Sequence, residues 1–234
     1  SIIASAACLA AMLMINAGAT ILAVLACGAI YFLQKRRRMQ AKWGDLRSGI
    51  LMLLARFSLY RLADREADER SWKPNILVLS GLPTQRWYLV DFAEAIAGKS
   101  CLVTVAMVLP EDSGDERAQS AQDVLRDYLR RHHVNALVKT VTAGDPYRGG
   151  RDLINTYGFG PMVPNTILVG ASREESRFTH YAELIMQAGR RRRNVVIVLE
   201  GPPLRPGEKP GRMDVWWRGR GQNAGFMLAL AHLI

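Results

Sequence analysis

The sequence predicts an α/β protein in three parts: an apolar membrane segment, a basic helix beside the membrane, and a three-layer, mostly parallel α/β domain. Three observations lead to this prediction. Residues 1–33 contain no Asp, Glu, Lys or Arg. Residues 34–73 hold 11 Lys and Arg against 5 Asp and Glu. From residue 72 onward, short apolar runs alternate with longer amphipathic stretches, which is the pattern of βαβ units.

The overall composition excludes two broad classes of protein. Of the 234 residues, 49% are hydrophobic, which is far too many for a disordered chain. The chain has only three cysteines, Cys8, Cys27 and Cys101, too few and odd in number for a disulfide scaffold and without metal-ligand spacing. The net charge of +10 would suit nucleic-acid binding, but more than half of it lies in residues 34–73. We therefore attribute the basicity to membrane topology and expect no nucleic-acid partner.

The first part, residues 1–34, is long for a single membrane span. A bilayer core of roughly 30 Å needs about 20 helical residues, whereas residues 2–33 are almost continuously apolar. Asn16, Ala17 and Gly18 lie at the midpoint and include two turn formers, so we predict a hairpin of helices 2–15 and 19–33. The alternative is one long tilted helix with Asn16 against a partner.

The basic run that follows the apolar segment predicts the orientation of the chain. By the positive-inside rule, residues 35–234 lie in the cytoplasm, and the chain is an integral protein of the cell membrane. Cationic side chains near a bilayer bind anionic headgroups, so we expect six residues at the membrane surface: Lys35, Arg36, Arg37, Arg38, Lys42 and Arg47.

The second part, residues 35–71, contains a predicted amphipathic helix over 40–65. Its apolar residues recur at helical spacing: Trp43, Leu46, Ile50, Leu53, Leu54 and Phe57. This helix either rests on anionic lipid or connects to the cytosolic domain, packing its apolar face on that domain or on a second copy of itself.

The third part, residues 72–234, is the predicted cytosolic α/β domain. Continuous apolar runs are typical of strands buried on both faces of a parallel sheet. We predict strands at 75–80, 102–109, 136–141, 166–169 and 194–199, and helices at 84–97, 115–132, 148–157 and 177–189. A further strand over 213–217, a closing helix over 225–233 and a Pro/Gly-rich loop over 201–211 complete the prediction.

Small residues at the predicted strand ends are the best candidates for a ligand site. In parallel α/β sheets, ligands bind beyond the carboxyl ends of the strands. The candidates there are Ser80, Gly81, Gly170 and Ser172. However, the turn after the first strand is not a G-x-G-x-x-G, there is no P-loop, and Gly158-Phe159-Gly160 precedes a strand rather than a helix. These residues are therefore weak nucleotide candidates, and we expect no obligatory cofactor.

No pattern in the chain predicts an enzyme or a metal site. His132 and His133 are adjacent, so on a helix their side chains diverge by about 100° and cannot share a metal ion. Asp145 before Pro146 is typical of a helix N-cap, and Glu174 and Glu175 suit a helix start. The run Arg190–Arg193 fits a solvated helix C-terminus, or a contact with lipid or an acidic partner.

Four segments, in this order, resemble one family: SWKPNILVLSG (71–81), PNTILVG (164–170), MDVWW (213–217) and NAGFMLALAHLI (223–234). They are similar to segments of the cation-chloride cotransporters, the Na-K-Cl and K-Cl symporters. The resemblance covers nearly the whole chain and implies membrane helices eleven and twelve of twelve, followed by a Rossmann-like domain similar to the universal stress proteins. One departure is the basic Arg218-Gly219-Arg220-Gly221, where the family continues with acidic and glycine-rich residues.

The resemblance also implies a function. It implies electroneutral symport of Cl⁻ with K⁺, Na⁺ or both, and a homodimer in which the cytosolic domain regulates transport. Some members bind nucleotide in that domain. Ion sites of such transporters lie at broken helices near the membrane midplane, which in this family precede the present segment, so we expect no ion ligand in this chain. The rival interpretation is a membrane-anchored nucleotide-sensing module of the universal-stress type, without a transport core.

Overall fold

The computed structural model describes residues 14, 16–36, 43–64, 72–81, 85–98, 101–172, 174–201, 214–216 and 223–234. Side chains are described in all of these except residues 17, 30–36 and 43–46. The chain divides into two compact units, 1–61 and 62–234, and each is described here by itself.

The N-terminal unit contains helix α1, Ala17–Arg36, which covers the predicted helix 19–33. Asn16 caps its start, because the Ala19 backbone N–H donates to Asn16 Oδ1 at 3.2 Å and the Thr20 hydroxyl donates to the Asn16 carbonyl at 2.9 Å. The predicted first helix, 2–15, lies outside the described residues apart from helical Met14, so the hairpin stays a prediction. None of the helices described combines the length and the hydropathy that a membrane span requires.

Helix α2, Trp43–Ala63, corresponds to the predicted juxtamembrane helix. Its apolar surface differs from the predicted single stripe, since the consecutive Leu51, Met52, Leu53 and Leu54 are all more than half exposed and four successive residues surround a helix. Of the predicted membrane-surface residues, Lys35 and Arg36 end α1 and Arg47 is exposed in α2, whereas Arg37, Arg38 and Lys42 lie outside the described residues.

The second unit is built on a parallel five-stranded sheet in the order β3-β2-β1-β4-β5. This confirms the predicted α/β class and all five strands within about a residue. The strands are β1 Asn75–Leu79, β2 Leu102–Leu109, β3 Leu137–Thr142, β4 Thr166–Gly170 and β5 Asn194–Val198. The helices between them are α3 Trp87–Ala97, α4 Gly114–Arg131, α5 Pro146–Thr156 and α6 Phe178–Arg190.

Helices cover both faces of the sheet, which explains why the central strands are continuously apolar. On one face, Ile76 and Val78 of β1 pack in a buried cluster with Leu89 of α3 and Leu129 of α4. On the other face, Leu77 of β1 packs in a second cluster with side chains of α5 and α6. The chain therefore winds to one face after β1 and β2 and to the opposite face after β3 and β4.

The C-terminal segments agree only partly with prediction. Helix α7, Ala224–Leu233, matches the predicted closing helix, and its Phe226 ring meets Trp72 edge-on at 5.6 Å. The predicted strand at 213–217 is wrong for the part that the structure describes, because Asp214–Trp216 is irregular and pairs with no strand. Trp216 is 83% exposed, so the segment lacks the cross-strand packing that stabilises aromatic residues in sheets.

Candidate functional site

The centre of the sheet has the geometry of a topological switch point. Strands β1 and β4 are neighbours, yet α3 leaves β1 toward one face and α6 follows β4 on the other. The diverging connections open a crevice at the carboxyl ends of these strands, which is where parallel α/β proteins bind ligands.

All four residues predicted from the strand ends line one cavity of about 240 Å³ in this crevice: Ser80, Gly81, Gly170 and Ser172. Ser80 is fully buried, and its hydroxyl donates to the Gly81 carbonyl at 3.3 Å. An adjoining cavity of about 310 Å³ shares Arg86, Tyr147, Ser172 and Arg177 with the first. The structure thus brings the predicted residues together in one place.

Gly170 marks a point where three side chains converge. A Cβ at this position would lie 2.7 Å from Tyr88 Oη and 3.6 Å from an Arg86 guanidinium nitrogen, so only glycine fits without movement of a neighbour. The Tyr181 hydroxyl donates to the Gly170 carbonyl at 3.1 Å. Two phenols and a guanidinium therefore surround the end of β4.

Two of the lining residues, Arg86 and Arg177, stand at helix starts where capping side chains are usual. Arg86 is the N-cap of α3 and Arg177 the N-cap of α6, and neither helix start has a side-chain cap. At α3, first-turn N–H groups without a side-chain cap, the positive end of the helix dipole and the Arg86 guanidinium together favour an anion. At α6, which continues from a 3-10 turn, the Phe178 N–H already donates to the Glu175 carbonyl, so the favourable groups there are the helix dipole and the Arg177 guanidinium. Arg177 pairs with Glu174 at 2.7 Å, whereas Arg86 forms no ion pair within the described part of the chain.

The start of α5 differs from the starts of α3 and α6, because it has a side-chain cap. Its start also borders the crevice, but Asp145 Oδ2 accepts a hydrogen bond from the Arg148 backbone N–H at 2.9 Å. The predicted N-cap role of Asp145 is confirmed, with Pro146 in the first helical position. This helix start is already satisfied by a carboxylate, so an external anion would meet the starts of α3 and α6 instead.

Tyr181 is a hydrogen-bond donor at this site over the physiological pH range. Burial, followed by the neighbouring Tyr147, raises the pKa of its phenol above the ordinary value of 10.0. The Tyr147 and Tyr181 rings meet edge-on at 6.1 Å and provide an aromatic wall to the inner cavity. Sequence reasoning missed Arg86, Arg177 and Tyr181, because the predicted helices 84–97 and 177–189 placed both arginines inside helices rather than at their N-caps.

The histidines and cysteines that the structure describes lie apart from this crevice. No group of three metal-ligating side chains occurs among the residues that the structure describes. His132 lies 4.6 Å, centroid to centroid, from both Trp87 and Tyr128 in an aromatic cluster, while His133 adopts a positive φ of 59° after α4. Cys27 is exposed, and Cys101 is half-buried.

The chain is similar to known proteins over the region that contains this crevice. A family model described as Solute carrier family 12 matches residues 86–199, which run from the start of α3 to just past β5. The "Potassium/chloride cotransporter 3" of Caenorhabditis elegans is 24% identical over 237 aligned positions. That alignment covers 91% of this chain but only 22% of the relative, so the chain spans about a fifth of the relative's length. Together, these two matches show that the chain is similar to the cation-chloride cotransporters.

Proposed function

We propose that this chain is part of a secondary active transporter that carries chloride together with potassium, sodium or both. In this proposal residues 1–34 lie in the bilayer, residues 35–234 lie in the cytoplasm, and the α/β domain regulates transport within a homodimer. The carrying observation is the similarity to a potassium/chloride cotransporter along 91% of the chain, a larger share than residues 72–234 alone make up.

The proposal assigns no ion ligand and no catalysis to this chain. The N-terminal apolar region has no charged side chain, and its polar Asn16 is engaged in capping α1. Ion coordination is therefore placed in other segments of the longer transporter, at the broken helices of its core. The α/β domain contributes instead a rigid, ligand-accessible platform on the cytoplasmic side.

Uptake of ⁸⁶Rb⁺ or ²²Na⁺ by the longer protein that contains this chain tests the proposal. Vesicles holding that protein are compared in chloride and in gluconate, with empty vesicles as the control. We expect uptake above the control only where chloride is present, because symport couples the two ions. Uptake that is the same in gluconate would exclude chloride symport.

A second candidate function concerns the crevice between β1 and β4. We propose that it binds a nucleotide, whose phosphates would contact Arg86, Arg177 and the starts of α3 and α6, and whose base would lie against Tyr147 and Tyr181. The supporting observation is that Arg86 and Arg177 stand at helix starts without a side-chain cap, beside adjoining cavities of about 240 and 310 Å³. Nucleotide binding would serve either transport regulation or the rival module without a transport core.

Calorimetry of the chain with ATP and with ADP tests this second candidate. We expect measurable binding, weakened about tenfold or more in Arg86→Gln, since one charge-assisted hydrogen bond to phosphate contributes about 1.5–3 kcal/mol. Arg148→Gln is the matched control, because Arg148 is exposed on α5 and lines neither cavity. Absence of heat at millimolar nucleotide would remove the candidate and leave the transporter proposal intact.

A further inference from the structure

The two edges of the parallel sheet carry opposite charge. At the amino-terminal edge, the described turns and helix ends are 72–75, 97–98, 101–102, 130–137, 156–166 and 190–194, and they contain seven Lys and Arg but no Asp or Glu. At the carboxyl edge, the corresponding segments are 80–81, 85–87, 109–115, 142–147, 170–172, 174–178 and 198–201, with seven Asp and Glu against two Arg. We call the first group the basic edge: Lys73, Arg130, Arg131, Arg190, Arg191, Arg192 and Arg193.

The arginines of the basic edge have few partners of opposite charge. Within the described chain, Arg190–Arg193 form no ion pair with a carboxylate, and Arg191 Nε donates instead to Asn155 Oδ1 at 2.9 Å. Arg130 reaches Asp127 only at 3.9 Å, with both side chains more than two-thirds exposed. A pair this exposed neutralises little charge. The edge therefore presents its positive charge to the solvent.

The backbone holds these cations in fixed positions. The turn after α6 is closed by three hydrogen bonds, from Arg191 N to Gln187 O, Arg192 N to Gly189 O and Arg193 N to Ala188 O, at 2.9–3.1 Å. Asn165 secures the segment around Lys73, donating to the Lys73 carbonyl at 2.8 Å and accepting from the Asn75 N–H at 2.9 Å. Burial, and then the neighbouring Arg191, lowers the pKa of the Arg193 guanidinium, as expected where like charges are crowded.

Helix ends account for only part of this charge. A cation in the last turn complements the helix dipole, which explains one or two basic residues each for α4 and α6. It does not explain four consecutive arginines that continue to β5, or the lack of acidic residues in the segments of this edge that the structure describes. With five strands about 4.8 Å apart, the edge extends over roughly 19 Å. A broad surface of one charge sign fits an extended anionic partner.

We propose that the basic edge binds the phosphate groups of an anionic phospholipid bilayer. This inference rests on the proposed function in one respect: the charge-free residues 1–33 would hold the α/β domain near a membrane. That tether favours lipid over nucleic acid as the occupant. The edge also suits a flat partner, since its cations lie at the ends of neighbouring elements in one sheet. The carboxyl edge, with its excess of acidic residues and the crevice, would then face away from the bilayer.

The size of the effect follows from surface electrostatics. Each cation held beside an anionic membrane changes the partition equilibrium by about fivefold at moderate ionic strength. Neutralising two exposed cations of the edge should therefore weaken its membrane contact by at least about tenfold. Because the attraction is screened, it should also largely disappear in about 0.5 M KCl.

The test uses the full chain and a fluorophore at the basic edge. Gly189→Cys is a suitable site, because a Cβ there has nothing within 4 Å, with Cys8, Cys27 and Cys101 replaced by Ala. The labelled chain is mixed with vesicles of phosphatidylcholine alone, or with about a third of phosphatidylglycerol. Quenching by acrylamide, which is neutral and insensitive to surface potential, measures how accessible the label is to water. We expect quenching to fall several-fold only in the anionic vesicles and to recover in high salt.

Two charge variants give this test its specificity. Arg190→Gln with Arg192→Gln, or Arg130→Gln with Arg131→Gln away from the label, should restore quenching in anionic vesicles. Arg117→Gln with Arg148→Gln removes the same charge from exposed positions in the first turns of α4 and α5, outside the basic edge, and should behave like the parent. Equal quenching in both kinds of vesicle, or equal effects of the edge and control variants, would overturn the proposal. Protection by a DNA duplex but not by anionic vesicles would assign the edge to nucleic acid instead.

Flotation of the same samples separates this inference from the proposed function. Association with pure phosphatidylcholine vesicles reports on the apolar N-terminal region, because a neutral bilayer offers the arginines no net charge. If the chain does not float with neutral vesicles, the membrane-embedded role of residues 1–34 fails. The basic edge is then still tested by its response to the anionic vesicles.

Discussion

Two consecutive glycines in α5 allow that helix to lie directly on the sheet and on α6. A Cβ at Gly149 would be 2.5 Å from Val108 Cγ1 and 3.0 Å from Val108 Cγ2, and one at Gly150 would be 2.7 Å from Leu184 Cδ1. Val108, Gly150 and Leu184 also line the inner cavity, so this close approach shapes the candidate site. We therefore expect Gly149→Ala to destabilise the α/β unit although alanine is the better helix former.

The magnitude follows from two opposing contributions. Replacing a mid-helix glycine by alanine stabilises a helix by about 1 kcal/mol. Overpacking a well-packed core destabilises by about 1–3 kcal/mol, and a valine in a strand has little rotamer freedom with which to yield. A contact of 2.5 Å is far inside van der Waals range, so overpacking should prevail, with a net loss of about 1–2 kcal/mol.

Hydrogen exchange of the β1 amides measures this loss in the intact chain, since central strands exchange only on opening of the whole unit. Gly189→Ala is the matched control, because it is also helical but has no atom within 4 Å of the added Cβ and should be neutral or stabilising. We expect exchange in Gly149→Ala to be roughly tenfold or more faster than in the control. Similar rates in the two variants would refute the packing argument, and Val108→Ala added to Gly149→Ala should recover part of the stability.

Three further predictions follow from individual contacts. Asp145→Ala should destabilise the α/β unit by about 1 kcal/mol, and Asp145→Asn by much less, because the cap on the Arg148 N–H needs a side-chain oxygen. Urea unfolding of the two variants measures the difference, and equal losses of stability would contradict the capping role of Asp145. Because the pKa of Tyr181 is raised in the folded state, its contribution to stability is intact below about pH 10 and is lost as the pH rises through the folded pKa. The ultraviolet difference titration between the parent and Tyr181→Phe should therefore show a midpoint above 10.0, and a midpoint at or below that value would be inconsistent with a buried phenol. Gly170→Ala should reduce any nucleotide binding measured in the parent, because the added Cβ would meet Tyr88 Oη. Adding Tyr88→Phe to the same chain should restore part of the binding. Unchanged binding in Gly170→Ala would place the ligand elsewhere.

The sheet was predictable from sequence because its strands are short, continuously apolar and separated by helical periodicity. NILVL is buried on both faces, as its composition indicates. The segment DVWW is also rich in strand-forming residues, but the part that the structure describes, 214–216, is irregular and its Trp216 is 83% exposed. Strand propensity is context-dependent in this way, since it reflects packing against neighbours more than a backbone preference.

The candidate site was predictable only in part. The strand-end rule found Ser80, Gly81, Gly170 and Ser172, because that rule depends on sheet topology alone. Arg86 and Tyr181 are 95 positions apart, and only the crossing of the sheet brings their helices to the same crevice. The packing of the elements decides which side chains from distant parts of the sequence meet at a crevice. A single sequence has no periodic pattern that indicates this packing.

The basic helix illustrates a different limit. Spacing of apolar residues over 40–65 predicted a single stripe, and the helix itself was confirmed as Trp43–Ala63. Leu51 and Met52 fall outside that stripe, however, and are as exposed as Leu53. The search for apolar residues at helical spacing considered only the positions that fit this spacing and overlooked apolar residues on the rest of the helix surface. It therefore overstated how amphipathic the helix is.

We propose above that this chain is part of a transporter that couples chloride to a cation. The most direct measurement is the initial rate of ⁸⁶Rb⁺ uptake into vesicles containing the longer protein, as a function of external chloride at a clamped membrane potential of zero. We expect a rate that rises with chloride, saturates, and does not change when the clamped potential is altered, because electroneutral symport moves no net charge across the membrane. A rate that is independent of chloride, or that follows the membrane potential in the manner of a channel, would contradict the proposal.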